Sequence, residues 1–152
     1  DLVEHENEDV RCRAIEALGD IGTGASPSLL RVVQALQDTS PEVRSKAAQS
    51  IGTIASASDC DTCDTVSALA AAMTDSHDRV RRNAVVALCR IAPQSDLPVS
   101  ALQTALTDEN RYVRGDAVHA LRRINTQTAK DILIDYLTKS RWCPLTSTES
   151  TH

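Results

Sequence analysis

Aromatic residues are almost missing from this chain of 152 residues, which has no phenylalanine, one tryptophan and two tyrosines. Methionine occurs once. With 41% apolar residues the chain can still build a core, but that core must consist of alanine, leucine, isoleucine and valine. Such small side chains let helices approach closely and disfavour a large ligand pocket lined by aromatic rings. No cofactor is therefore predicted.

Glycine and proline are also scarce, with five of each. A β-sandwich or β-barrel needs frequent turn residues, so this scarcity argues against both. No apolar run is long enough for a membrane span, and no signal-peptide pattern opens the chain. The five cysteines lack framework spacing, which suits a reducing compartment. We expect a soluble protein without a membrane partner, and these features favour the cytoplasm.

Positive charge is lacking in the first half of the chain. Residues 1–75 contain 13 acids and 5 bases, whereas residues 76–152 contain 8 acids and 11 bases. The net charge of −5 disfavours non-specific binding to nucleic acid or to anionic membranes. The uneven distribution of charge could orient a binding partner. It is equally consistent with charged faces that are only solvated.

One apolar stripe recurs four times. The dipeptide Val-Arg stands at residues 10, 43, 80 and 113, at spacings of 33, 37 and 33 residues. Alanine follows four positions after each valine, leucine or isoleucine eight positions after it, and isoleucine eleven positions after it. These offsets lie along one face of an α-helix, because 3.6 residues make a turn. The recurrence predicts a repeat protein.

A second apolar segment follows each stripe after a break. Capping residues and early acids precede the stripes at 38–41, 75–76 and 108–110. The second segments contain Leu29, Val33 and Leu36, then Val66, Ala70 and Met73, then Val99, Ala105 and Leu106, and finally Ile132, Leu133 and Tyr136. Each unit is thus predicted to be a hairpin of a first helix (the A-helix) and a second helix (the B-helix). A single hairpin cannot bury its own apolar face, so neighbouring hairpins must stack.

The pattern Asp-x-x-x-x-Val-Arg-x-x-Ala-x-x-x-Leu is best seen from Asp108 to Leu121. It resembles the HEAT-like repeats of phycobilisome lyases and their relatives, over about residues 5–140. With the repeat, this resemblance predicts an all-α protein, a right-handed α-solenoid of four HEAT-like helix hairpins. We predict one repeat domain over 1–142, with repeats at about 5–37, 38–73, 74–106 and 107–140. The polar tail, 143–152, is predicted to be disordered.

The resemblance also implies a ladder of polar contacts between neighbouring units. In the family the repeated Asp and Arg form it, and they correspond here to Arg11, Asp38, Arg44, Asp75, Arg81, Asp108 and Arg114. His5 occupies the first Asp position, which puts the first contact in doubt. Leu2-Val3 stands one period before Ala35-Leu36, so the chain is expected to open within a repeat and to be part of a longer array.

The second period is four residues longer than the others, and the excess falls within residues 55–65. Insertions of this kind map to loops, and this one contains Cys60 and Cys63. A Cys-x-x-Cys spacing can supply two metal ligands or form a redox disulfide. The three readings left open are incidental cysteines in an acidic loop, a regulatory disulfide, and a metal site that a partner completes.

The sequence contains no nucleophile elbow, phosphate-binding loop or metalloprotease motif, so no catalytic residue is predicted. Deoxyhypusine hydroxylases, iron enzymes on similar repeats, have several His-Glu pairs, whereas this chain has only His5-Glu6. Arginines at 79–123 are similar in distribution to those of basic helical-repeat DNA glycosylases, but acids interleave with them and aromatic residues for stacking are nearly absent. A non-enzymatic protein is favoured over an enzyme.

We predict a scaffold or adaptor that binds another protein along the concave surface formed by the B-helices. Helical phase places these partner-binding positions on that surface: Ser28, Arg31, Gln34, Ser67, Ala71, Ser100 and Thr104. One alternative is a non-catalytic or chaperone-like subunit of a bilin lyase or isomerase complex, which the repeat type suggests. A further alternative is a HEAT-like module that binds nucleic acid, a partner that the net charge disfavours.

Overall fold

The computed structural model describes residues 2–55, 62–91, 96 and 98–141, with the backbone alone at 62, 63, 140 and 141. This part of the chain is helical and contains no β-strand. The α-helices, in chain order, are α1 (Glu8–Ile21), α2 (Leu29–Gln34), α3 (Pro41–Ile54), α4 (Thr62–Ala72), α5 (Asp78–Ile91), α6 (Val99–Ala105), α7 (Arg111–Ile124) and α8 (Gln127–Arg141). Short 3₁₀ segments cover Leu2–Glu4, Gly22–Ser28 and Ala35–Gln37.

The four A-helices are α1, α3, α5 and α7, and each is 14 residues long. Local residues define their ends. Asn7 and Asn110 cap α1 and α7 by accepting hydrogen bonds from backbone N–H groups of the first turn. Pro41 occupies the first turn of α3, where its fixed φ suits the helix. Gly22 ends α1 with a φ of 66°, a conformation that few other residues adopt.

The A-helices stack on one another in chain order, α1 on α3, α3 on α5, and α5 on α7. Small residues permit the close approach. A Cβ atom added to Gly52 of α3 would lie 3.0 Å from the Cα of Ala87 on α5. The predicted stripe forms the core at these contacts, since Val43, Ala47 and Ile51 are fully buried, as are their counterparts on α5. Stacking of A-helices therefore carries most of the packing between units.

The B-helices are α2, α4, α6 and α8, and each of the first three packs against the A-helix of the following unit. In the first B-helix the predicted Leu36 is buried and the predicted Leu29 and Val33 are partly buried against the core, while Val32, which the predicted stripe omits, is fully buried. This helix has only six residues, and 3₁₀ segments on both sides rotate the chain by more per residue than an α-helix does. In α4 the predicted Val66 is buried, as is Met73 just after the helix.

The first unit also departs from the predicted stripe. Ile21 is 62% exposed, whereas its counterparts Ile54, Ile91 and Ile124 are buried. Each counterpart belongs to a unit that stacks on an earlier A-helix, but in the described structure only the turn Leu2–Glu4 precedes α1. Burial at this position thus depends on the preceding unit.

Helix pairs stacked in chain order, with one shared core, constitute an α-solenoid, and the predicted all-α repeat fold is confirmed. None of the described helices combines the length and the apolarity that a membrane span requires.

Candidate protein-binding groove

An arginine of each of the first three A-helices contacts an aspartate at the start of the following unit. Between the second and third units, the Nε of Arg44 lies 2.7 Å from Oδ2 of Asp75, and Nη2 lies 3.0 Å from Oδ1. The same two-bond geometry joins Arg11 to Asp38, at 2.8 and 2.9 Å, and Arg81 to Asp108, at 2.8 and 3.0 Å. Such paired contacts are stronger and more directional than single ion pairs.

The remaining groups of these side chains are also occupied. The Nη1 of Arg44 donates to the carbonyl oxygens of Asp38 and Thr39, in the turn that precedes its own helix. Oδ1 of Asp75 accepts the backbone N–H of His77, two residues further on. Equivalent bonds occur at the other two pairs. Each pair therefore links two units and shapes the turns between them.

The pKa values of the three ladder aspartates are lowered. Burial is the largest single influence on Asp38 and Asp108 and raises their pKa, but hydrogen bonds from Arg11 and Arg81, the backbone N–H groups of Ser40 and Asn110 and the attraction of the guanidinium charges together outweigh it, so both pKa values lie below the ordinary aspartate value. The hydrogen bond from Arg44 is the largest influence on Asp75 and lowers its pKa. All three carboxylates are thus ionised at neutral pH.

The two ends of the array lack this pairing. His5 stands in the first Asp position, and its Nδ1 accepts the N–H of Asn7 at 3.0 Å, which reproduces the local bond of the aspartates. At the other end, Nη1 of Arg114 donates to the carbonyl oxygens of Asp108 and Glu109. Arg114 forms no ion pair with any carboxylate of the described residues. The position 27 residues beyond it, the spacing of two of the three pairs, is an arginine in the sequence.

Four clefts lie along the B-helix layer, the first between residues 3–6 and the first B-helix and the others between successive B-helices. Their volumes are about 430, 370, 480 and 380 Å³ in order along the chain. Consecutive clefts share residues: the first two share Gln37 and Asp38, the middle two share Thr74 and Asp75, and the last two share Thr107. We call this continuous depression, from Val3 to Lys139, the B-helix groove.

Repeat-equivalent residues form the walls of the B-helix groove. Gln34, Ala71 and Thr104 are exposed at the same position of successive B-helices and line it. Three residues later, the equivalent side chains all have amide or hydroxyl groups: Gln37, Thr74 and Thr107. Sequence analysis missed this second row. Its members occupy equivalent positions of the repeat, directly before Asp38, Asp75 and Asp108, and this register could have identified them.

The structure separates the predicted partner-binding residues into two sets. Arg31, Gln34, Ala71 and Thr104 line the clefts. The other three predicted residues line none of these clefts and lie nearer the start of their helices: Ser28, Ser67 and Ser100. Ser67 and Ser100 are nevertheless exposed, so they lie on the B-helix layer outside the groove.

Carboxylates outnumber cations in the groove. The three Arg–Asp pairs are neutral, and beyond them the described lining adds Arg31, Lys139 and the carboxylates Glu4, Glu6, Glu109 and Asp135. Of these, Glu109 accepts from Arg81 at 3.0 Å and Asp135 accepts from Lys139 at 2.8 Å. The groove thus favours a neutral or cationic ligand.

The structure describes little of the predicted metal or redox pair, Cys60 and Cys63. Cys60 lies outside the described residues, and at Cys63, in the first turn of α4, only the backbone is described. Elsewhere, Cys12 and Cys89 are free thiols whose pKa values are raised by burial, which opposes thiolate reactivity. Among the described side chains, no three His, Cys, Asp or Glu residues are placed to hold a metal ion.

Stacked helix hairpins joined by Arg–Asp pairs along one groove define a helical-repeat protein. The family model for HEAT repeats matches residues 66–144, more than half of the chain, and the model for the adaptin N-terminal region matches residues 1–98. The chain belongs to the HEAT repeat family. No curated protein sequence matches it at a significant level.

Solved structures share the fold at low identity. A designed armadillo repeat protein in complex with the peptide (KR)4 is 22% identical, with a TM-score of 0.73 over 99% of this chain and 73% of that one. The complex of CpcE and CpcF of phycocyanin lyase from Nostoc sp. PCC7120 is 19% identical, with a TM-score of 0.62 over 97% and 85%. The Pds5–Scc1 complex is 21% identical, with a TM-score of 0.62 over 90% and 24%.

Proposed function

We propose that this protein is a scaffold that binds an extended, basic segment of a partner protein in the B-helix groove, on the concave side of the solenoid. The observation that carries the proposal is the continuity of the four clefts, since each shares lining residues with the next. A depression that crosses every unit suits an elongated ligand better than a compact one.

The chemistry of the walls supports a peptide. Amide and hydroxyl groups recur along the groove at Gln34, Gln37, Thr74, Thr104 and Thr107. The glutamine amides can donate and accept hydrogen bonds, and the threonine hydroxyls, which donate to carbonyl oxygens of their own helices, can still accept them, so these groups can pair with the backbone of an extended chain. The excess of carboxylates suits lysine and arginine side chains of that chain. A designed protein of the same fold is known in complex with a peptide of this composition, (KR)4.

The Arg–Asp pairs contribute rigidity rather than contacts with the ligand. Their donors and acceptors are already satisfied within the chain, and the side chain of Arg81 is only 8% exposed. They fix the relative position of neighbouring units beneath the groove. A preformed surface binds a ligand with a low ordering cost, and this is the role we assign to the ladder.

A labelled Lys-Arg octapeptide, followed by fluorescence anisotropy, tests the proposal. The double variant Ala71→Arg/Thr104→Arg places bulk and positive charge in two clefts, and both positions are exposed, so the fold should persist. We expect binding to weaken by about tenfold to a hundredfold, a change of roughly 1.4–2.8 kcal/mol. The matched control Ser67→Arg/Ser100→Arg adds the same charge to the same helices outside the groove and should change binding by less than about twofold.

Equal loss in both double variants would show that net charge alone attracts the peptide. Full retention in the groove variant would show that the peptide binds elsewhere. Either outcome would contradict the proposal, provided that circular dichroism shows the variants to be folded.

The bilin lyase alternative has one supporting observation, the fold shared with the CpcE–CpcF complex at 19% identity. Addition of bilin and its apo-protein to the purified chain tests it, and an unchanged absorption spectrum would count against it.

A further inference from the structure

A fifth cleft, of about 320 Å³, lies on the A-helix layer between α3 and α5. Three arginines line it, Arg79, Arg82 and Arg90, together with Gln49 and Asn83. No carboxylate lines this cleft, whereas every cleft of the B-helix groove has at least one. We call it the arginine cleft. Its lining is thus opposite in charge to that of the groove.

The arginines of the cleft retain donors for a ligand. Arg79 gives one contact to Glu42, Nη1 to Oε2 at 3.2 Å, and its side chain is 76% exposed. Arg82 gives its Nε to Asp116 at 2.7 Å. Arg90 is exposed and forms no hydrogen bond or ion pair within the described part of the chain. Each guanidinium has five N–H donors, so most of the donors of these three arginines are not used within the chain.

Positive charge continues from the cleft onto α7. Three exposed arginines lie there: Arg111, Arg122 and Arg123. Tyr112, on the same helix, has the guanidinium groups of Arg82 and Arg111 over its ring, at 5.4 and 4.8 Å from the centroid. These contacts are cation–π interactions and hold both arginines in place. Through Tyr112, the cationic surface thus extends from Arg82 of the cleft to Arg111.

We propose that the arginine cleft binds an acidic segment of a partner protein, with glutamate or aspartate side chains on its guanidinium groups. Arginine suits this role because its planar donors match a carboxylate in pairs. Nucleic acid fits less well. Glu42 and Asp116 interrupt the positive charge that a phosphate backbone would follow, and the Tyr112 ring is already engaged by the chain's own arginines instead of being open to a base.

This inference goes beyond the proposed function, because it gives the scaffold a second surface for a partner of opposite charge. The arginine cleft shares no lining residue with the B-helix groove. If the groove does not bind a basic peptide, the proposal for the arginine cleft still stands. If the cleft does not bind an acidic peptide, the proposal for the groove still stands.

The test uses the full chain and a labelled Asp-Glu octapeptide, with anisotropy measured at low salt. We expect binding that weakens as salt rises. Arg90→Glu should weaken it by about tenfold, and the neutral double variant Arg79→Gln/Arg90→Gln by at least about threefold. Arg13→Glu, at an exposed position on α1, makes the same charge change away from the cleft and should alter binding by less than about twofold.

Three results would overturn the inference. The first is no binding of the acidic peptide by the folded wild-type chain at low salt. The second is an equal loss in Arg90→Glu and Arg13→Glu, which would reflect net charge alone. The third is a DNA duplex that binds more tightly than the peptide and is also lost in Arg90→Glu, which would assign the cleft to nucleic acid.

Discussion

Replacement of Asp75 by alanine tests whether the Arg–Asp pairs hold the units together. Asp75 links the second and third units at the middle of the array. The substitution removes both bonds from Arg44 and the bond from the N–H of His77. It also leaves two donor groups of Arg44 without an acceptor, in a side chain that is 14% exposed.

The size of the effect follows from this burial. An exposed ion pair contributes about 0.2–1 kcal/mol, whereas the loss of one partner of a fully buried pair costs about 3–5 kcal/mol. The Arg44–Asp75 pair is mostly but not fully buried, so we expect Asp75→Ala to lower the free energy of unfolding by about 2–3 kcal/mol. Asp75→Asn retains an acceptor for His77 and should cost about half as much, since hydrogen bonds to charged groups are the stronger ones.

Urea unfolding, followed by circular dichroism, gives these differences as shifts in the free energy of unfolding. A double-mutant cycle with Arg44→Met separates the pair from other losses, and we expect a coupling energy of about 1–2 kcal/mol. The pair of Arg79 and Glu42 is the matched control, because it joins the same two units but is largely exposed. Its coupling energy should stay below about 0.5 kcal/mol.

A coupling energy for Arg44 and Asp75 no larger than that of the control pair would refute this reasoning. The ladder would then be a consequence of stacking that adds nothing to it. A change in the slope of the unfolding transition would instead indicate that the units no longer unfold together.

Two further predictions concern acid and helix packing. The three ladder aspartates have lowered pKa values in the folded chain. Their contribution to the free energy of unfolding is therefore complete above about pH 4, the unfolded aspartate pKa, and is lost as the pH falls through the lower folded values. Urea midpoints measured between neutral and acid pH should decline in that window, and Asp75→Ala should flatten the decline. Gly52→Ala should destabilise the protein by about 1–3 kcal/mol, because the new Cβ would meet the backbone of Ala87 at 3.0 Å. Gly115→Ala, whose Cβ would have nothing within 4 Å, should stabilise α7 by about 0.5–1 kcal/mol. Thermal melts of both variants check these values, and equal shifts of the melting temperature in one direction would contradict the packing described for α3 and α5.

The candidate groove was only partly predictable from the sequence. Arg31, Gln34, Ala71 and Thr104 were expected on the binding surface and do line the clefts. The row of Gln37, Thr74 and Thr107 was missed, because helical phase was followed only within each B-helix and these residues lie beyond its end. The arginine cleft could not be foreseen, since residues from two helices, 27 or more positions apart, create it.

The sequence by itself determined the A-helices and the repeat. Offsets of 0, 4, 8 and 11 residues place Val43, Ala47, Ile51 and Ile54 on one helical face, and that geometry depends only on the backbone. Tertiary structure decided which faces are covered. Ile21 and Ile54 occupy equivalent positions, yet the first is exposed and the second buried, because burial requires a neighbouring unit that a local pattern does not contain. The full burial of Val32 on α2 was likewise decided by packing, since a helix of six residues carries only a weak periodic signal.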